Sequence, residues 1–381
     1  MSARRPMFRT LTVALCLAGF ALALVLRPTD AAAGAKTGLN LCAEVVLPSL
    51  FPFFVLSALV TELGLGGALG RWCGPAMRVL FGVSGGGAAA LLLGLIGGYP
   101  LGARTVAQLC EQGQLSRQDG ERLLLFCNNG GPAFILSVAG ASVLGSVRAG
   151  WLLLGIHIVS ALCCGLLARW LRPRGTPESP PSGVPSAGRS VRFSQAFTNA
   201  IGSAVQSSLN VCACVVLFAV ILRLARLFGL LQPGIRLLEG LGVDAACAEA
   251  LLSGMVELTN GVALLEGASV YYAVPVAAFL LGFGGLSIFC QTASMLAASG
   301  LSPLWCLKGQ LLHGCISFVL AAAAVQLFPS AVSAMASSAA AVGGSSAALL
   351  PPLLGLGAWC GILGIAVLFR KRGSFFQKKA V

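Results

Sequence analysis

Apolar runs of about 20 residues succeed one another from Leu11 to Phe369, separated by short polar stretches. Wound as an α-helix, a run of that length reaches across a hydrocarbon core of roughly 30 Å. A membrane barrel would instead alternate polar and apolar side chains in short strands, and these Leu- and Ala-rich runs do not alternate. The pattern predicts an all-α polytopic membrane protein. The first run, Met7 to Leu26, follows Arg4 and Arg5 and precedes the small residues Ala31 to Ala35. Both a cleaved leader and a first transmembrane helix fit those flanks; the length favours the helix, with its N-terminus inside. A second span is expected between Leu41 and Leu63, ending near Arg71 and Arg78.

Several of the later runs are interrupted. Between Val83 and Ala107 the stretch Gly97-Gly98-Tyr99-Pro100-Leu101-Gly102 removes one amide donor and places unrestrained backbone at membrane depth, which predicts a re-entrant hairpin. The span from Arg122 to Val147 is broken at Asn128-Asn129-Gly130-Gly131-Pro132. An unbroken span from Gly150 to Trp170 then leads into the Pro-, Ser- and Arg-rich segment Arg172 to Arg192.

The second half repeats this plan. A shift of 160 positions sets Leu91-Leu92-Leu93-Gly94 on Leu251-Leu252-Ser253-Gly254 and brings the first interruption onto Glu257-Leu258-Thr259-Asn260. A shift of 154 sets Gly130-Gly131 on Gly284-Gly285, Trp151 on Trp305 and Gly155 on Gly309. The expected organisation is a first helix and outer loop (1–40), a first repeat (41–171), a cytoplasmic linker (172–194), a second repeat (195–328), and an outer loop, last span and basic tail (329–381). Because the first repeat begins outside and ends inside, the second is expected to be inverted, with both termini cytoplasmic.

Composition agrees. Hydrophobic residues make up 57% of the chain, charged ones 10%, and the mean hydropathy is +0.90, which excludes a soluble globule. A net charge of +13 raises the question of nucleic acid, but Arg and Lys gather at Arg4 to Arg9, Arg169 to Arg192 and Arg370 to Lys379. Those clusters flank apolar spans as cytoplasmic loops do, so no nucleic-acid partner is expected; Arg223, Arg226 and Arg236 run against the charge rule. The 14 cysteines lie mostly inside apolar runs and form no CxxC pair, so neither a metal site nor another cofactor is expected.

Inverted repeats with interrupted helices are the architecture of secondary transporters, in which open helix ends meet a solute at the midplane. The polar residues beside the interruptions are costly in hydrocarbon unless they face each other or a wet cavity. Tyr99, Arg104, Asn128, Asn129, Gly130, Gly131, Thr259, Asn260, Gly284, Gly285, Ser287 and Gln291 are the candidate substrate-binding residues. Glu257 is the candidate for ion coupling, by H+ or Na+; it also fits as a neutral cap on a broken helix end. Arg104 fits a bidentate fork for a carboxylate or a side chain snorkelling to the interface. Asn128 and Asn129 fit ligand contacts or helix caps alike.

The four segments Gly98-Tyr99-Pro100-Leu101-Gly102-Ala103-Arg104, Asn128-Asn129-Gly130-Gly131-Pro132, Glu257-Leu258-Thr259-Asn260-Gly261 and Gly282-Phe283-Gly284-Gly285-Leu286-Ser287, with Gln291 after them, resemble the signatures of the YlbJ (SpoVV) family of sporulation membrane proteins. That family lies within the nucleoside-recognition or Gate group. The resemblance implies a fold related to concentrative nucleoside transporters and export of dipicolinic acid from the mother cell of an endospore former, across the outer forespore membrane. Family members can carry Lys where this chain has Arg104. A nucleoside is the alternative passenger, a lipid bilayer the surrounding partner, and a homo-oligomer the assembly to consider.

Two other classes fit parts of the pattern. Gly82-Val83-Ser84-Gly85-Gly86 matches a GxSxG nucleophile and the GxSG run of rhomboid proteases, with His157 or His313 as a base, but 49 glycines make such a match easy and a protease needs no second repeat. A non-transporting scaffold is compatible with the same fold. With no Walker A pattern, transport would run on an ion or solute gradient.

Overall fold

The computed structural model describes residues 4–63, 72–171 and 192–329. The expected last span, the basic tail and nearly all of the Pro/Ser/Arg linker lie outside those residues. Every regular element among the described residues is helical.

Helix α1 (Arg4–Leu26) meets α2 (Pro28–Leu41) at a bend of 100°. Arg27 leaves helical geometry, and Pro28 starts α2 where a missing N–H costs nothing. Helix α2 passes through a π-helical turn, Cys42–Val46, into α3 (Leu47–Glu62). The sequence pattern suggests an outer loop up to residue 40; the chain there is helical instead. The reason is non-local: Gly34 and Gly38, one turn apart, let α2 press onto the backbone of α9 (Phe193–Leu227). A Cβ at Gly38 would stand 2.7 Å from Val216 Cα, and one at Gly34 would stand 3.0 Å from Val220 Cα.

The element order then occurs twice. In the first half, α2–α3 is followed by a short helix α4 (Trp72–Phe81), a hairpin of α5 (Ala88–Gly97) and α6 (Leu101–Glu111), helix α7 (Arg117–Leu123), a π-helical segment Phe134–Val143, and the long α8 (Val147–Leu171). In the second half, α9 is followed by a short α10 (Gln232–Gly240), a hairpin of α11 (Ala245–Val256) and α12 (Leu258–Ala263), a broken span of α13 (Val270–Phe283) and α14 (Gly285–Leu296), and the long α15 (Leu304–Leu327). Four described helical runs, Val147–Trp170, Phe193–Leu227, Val270–Leu296 and Leu304–Leu327, are long and apolar enough to cross a membrane; two bent pairs raise the number to six if each pair is one span.

The halves run in opposite directions. Along the contact between the two leading helices, Asp30 pairs with Arg223, Gly34 meets Val220, Gly38 meets Val216, Cys42 meets Cys212 and Asn199 reaches Glu62, so numbers rise on one helix as they fall on the other. The buried cores agree. Around the first hairpin (Leu91, Ala103, Val106) gather the end of α8 at Cys164 and Ala168 and the start of α15 at Cys306. Around the second hairpin (Leu251, Leu258, Val262) gather the start of α8 at Ala149 and Leu153 and the end of α15 at Ala321 and Val325. The hairpins therefore enter from opposite ends of the bundle.

Two of the arginines that run against the charge rule have partners inside the protein. Arg223 forms a 3.0 Å ion pair with Asp30, and Arg226 donates to Ser253 Oγ at 3.0 Å and lies 3.4 Å from Glu249. Each arginine held this way fastens α9 to a neighbouring helix.

Candidate functional site

Each expected interruption is a real break. Gly98-Tyr99-Pro100 separates α5 from α6, with Gly98 at φ +83°, a conformation that only glycine adopts freely. The first broken span leaves helical structure between α7 and the segment at Phe134. In the second half a single extended residue, Glu257, separates α11 from α12, and Gly284 in left-handed geometry separates α13 from α14.

The interruptions touch in pairs. A Cβ at Gly98 would fall 2.6 Å from Gly131 N, so the first hairpin tip lies on the first broken span. A Cβ at Gly285 would fall 2.7 Å from Gly254 O, so the second hairpin lies on the second broken span in the same way. Across the halves, the Tyr99 hydroxyl donates to the Leu281 carbonyl of α13.

Between the pairs opens a cavity with about 690 Å³ of empty space, its mouth included. Ile96 to Tyr99 supply one wall, Gly131, Ala133 and Phe134 a second, Glu257 to Thr259 a third, and Ile288 and Gln291 of α14 a fourth. Val46, Leu50 and Phe53, with Val211 and Val215 of α9, close it from the side.

Of the sequence-selected residues, Tyr99, Gly131, Glu257, Thr259 and Gln291 line this space. Glu257 is 3% exposed and caps α12: Oε1 accepts from Thr259 N–H at 3.2 Å, while Oε2 accepts from Asn260 N–H at 2.8 Å and Asn260 Nδ2 at 2.7 Å. It is thus both a cap and the one charged residue of the lining. Asn260 serves it. Gln291 donates to Ser287 Oγ at 3.2 Å, which fixes its amide over the cavity wall.

Other selected residues lie behind the lining. Asn128 Nδ2 donates to Thr292 Oγ1 at 3.1 Å and contacts Cys306 Sγ at 3.3 Å, tying the first broken span to α14 and α15. Asn129 Nδ2 bonds Phe126 O at 3.0 Å, a local cap on the end of its own turn. Gly130 N–H donates to His157 Nε2 at 2.8 Å. Gly284 and Gly285 act through backbone geometry. Arg104 does not snorkel: it is 4% exposed, between α3 and α9, and it is not in the cavity lining.

The sequence reading did not select a polar seam between α8 and α15 as part of the site. The His157 and His313 rings lie 4.3 Å apart, His313 Nε2 donates to His157 O at 3.0 Å, and Ser160 and Ser317 share a 2.6 Å hydrogen bond. Gln310, 2% exposed, packs against Gly284. A usable signal was present, since His157 and His313 stand 156 positions apart, close to the shift that aligns the repeats. With His157 Nε2 accepting from Gly130, neither imidazole has Ser84 among its hydrogen-bond partners, and the Ser84 N–H instead meets Asp119 at 2.9 Å.

Comparison with known proteins agrees with this architecture. The Gate family model, described as nucleoside recognition, matches residues 43–147, which hold the first hairpin and first broken span. No solved structure matches the chain. The sporulation integral membrane protein YlbJ of Bacillus subtilis (strain 168) is 30% identical over 295 residues, covering 72% of each chain. At that identity and coverage, the chain belongs to the YlbJ family of sporulation integral membrane proteins.

Proposed function

We propose that this protein is a secondary transporter that carries a small planar solute through the cavity where the four interruptions meet. The supporting observation is that convergence: two hairpin tips and two broken spans, from halves of opposite direction, line one cavity. Dipicolinate is the first passenger to test, exported at the outer forespore membrane with the linker and both termini on the cytoplasmic side.

The lining refines the chemistry. Phe53, Tyr99 and Phe134 suit a flat ring, whereas the charged group is a carboxylate, Glu257. At 5 Å and an effective dielectric of about 20, each like-charge pair costs about 3 kcal/mol. A dianion therefore enters together with a proton or Na+ that neutralises Glu257, which makes this residue the coupling site. The same lining favours a second passenger: a neutral nucleoside would use Glu257, Thr259 and Gln291 as hydrogen-bond partners with no charge to offset.

Uptake of labelled dipicolinate and of uridine into proteoliposomes, under imposed proton or sodium gradients, separates these readings. Gradient-dependent dipicolinate uptake is expected. Uridine uptake alone overturns the anion reading, and no uptake of either solute supports a scaffold.

A further inference from the structure

Among the described residues, Arg104 is a buried cation without an anion. It lies on α6 between α3 and α9 and is 4% exposed; its Nη2 donates to Ser203 Oγ, its guanidinium carbon stands 5.5 Å from the centre of the Phe54 ring, and its Nη1 has no hydrogen-bond partner. The ion pairs of other described arginines go to Glu121, Asp30 and Glu249, and none of these acids meets Arg104. A guanidinium remains protonated in any protein setting, and a charge held away from water is normally paired. Neither a serine hydroxyl nor the face of a phenylalanine neutralises it.

The hydroxyls on the helices around it are mostly bonded already, Thr105 Oγ1 donating to Leu101 O at 2.9 Å, which leaves Nη1 and the Ser203 hydroxyl to meet an acceptor. Ser57 and Thr105, neither of them exposed, share a 3.0 Å hydrogen bond, Ser207 donates to Ser203 O at 2.8 Å, and the buried Ser208 Oγ has no partner. These hydroxyls belong to the same three helices as Arg104. Leu50 and Phe53 of α3 and Val211 and Val215 of α9 line the cavity, while Phe54 and Ser203 on the same helices hold Arg104, so the two places are neighbours and not one.

We infer that Arg104 holds a single small negative group, with Nη1 and the Ser203 hydroxyl as its donors, at a site between α3, α6 and α9 separate from the transport cavity. Two sources present this chemistry: a free halide seated between the helices, or one carboxylate of an organic anion passing along the seam from the cavity. The halide source does not depend on which solute the cavity carries, whereas the carboxylate source rests on the anion reading of the proposed function.

The test uses the full-length protein purified in a buffer free of halide and carboxylate, with a bulky zwitterionic sulfonate as the buffering anion. Thermal unfolding is followed during separate titrations with bromide and dipicolinate, for the wild type, Arg104→Gln and Glu257→Gln. A halide site gives a bromide-dependent rise of several degrees in wild type and Glu257→Gln that is lost in Arg104→Gln. A carboxylate site gives a dipicolinate-dependent rise that is smaller in Arg104→Gln than in wild type and Glu257→Gln, the cavity supplying what remains, and no response to bromide. Equal responses in wild type and Arg104→Gln overturn the inference. Should Arg104→Gln not fold, crystals of the wild type soaked in bromide, and in dipicolinate, decide: an anion within hydrogen-bond reach of Nη1 supports the site, and density for neither there overturns it. Failure leaves the cavity reading standing, because proteoliposome uptake tests that separately.

Discussion

Replacing Glu257 with alanine removes the acceptor for three N–H groups at once: the backbone amides of Thr259 and Asn260 and the Asn260 side chain. Loss of a helix N-cap costs about 0.5–2 kcal/mol, and the upper part of that range applies because the carboxylate is only 3% exposed. Glu257→Gln keeps one acceptor oxygen but turns an NH2 group towards donors, so it should cost about 1 kcal/mol. In a chain of this length 1 kcal/mol corresponds to about 1 °C in Tm. The expected order by thermal unfolding is wild type, then Gln, then Ala, separated by one to a few degrees. In proteoliposomes both variants should lose gradient-driven uptake, and Gln should retain downhill exchange because the second hairpin keeps its shape. A Gln variant that unfolds like wild type and still couples transport to the ion gradient would refute the argument that one carboxylate serves both purposes.

Other perturbations test the fold around the site. Gly98→Ala forces a Cβ into a glycine-only conformation and towards Gly131 N, at a cost of about 1–3 kcal/mol, and should abolish solute-induced stabilisation in a thermal-shift assay. His157→Phe leaves the Gly130 N–H without its acceptor, which costs about 1–3 kcal/mol; hydrogen exchange should show protection lost at Gly130 and kept at the Thr259 and Asn260 amides. Gly38→Leu drives a side chain into the α9 backbone and should lower Tm by several degrees, whereas the same change at Gly155, which faces open space, should not. Cysteines placed after Trp170 and after Val325 should be labelled from opposite faces of the membrane.

The interruptions were legible because a cluster of glycine, proline and asparagine at membrane depth breaks the backbone ladder there, and a break at Pro100 or Gly284 leaves a local mark on the sequence. The helical character of 28–40 was not, because it rests on Gly34 and Gly38 meeting Val220 and Val216 far along the chain, and Lys36, Thr37 and Asn40 read as a polar loop. Arg104 defeated the pattern by a different route. Arg104, Gln108 and Glu111 stand at i, i+4 and i+7 on one face of α6 as a surface stripe would, but Leu101 to Ala107 are buried on every side, so the stripe does not reveal that its Arg104 end lies inside. Asn128 was selected for its polarity, yet its partners, Thr292 and Cys306, lie in the other repeat and no local spacing names them. Glu257 was the easiest to find: an acid in an apolar run needs a reason, and here it has two, the cap and the cavity.

The central claim is that one solute site lies where the interruptions of both repeats meet. A structure of the protein determined in the presence of saturating dipicolinate, and again with uridine, tests this most directly. The account predicts density for one of them bounded by Tyr99, Gly131, Glu257 and Gln291; ordered solute elsewhere in the bundle, with this cavity unchanged, would contradict it.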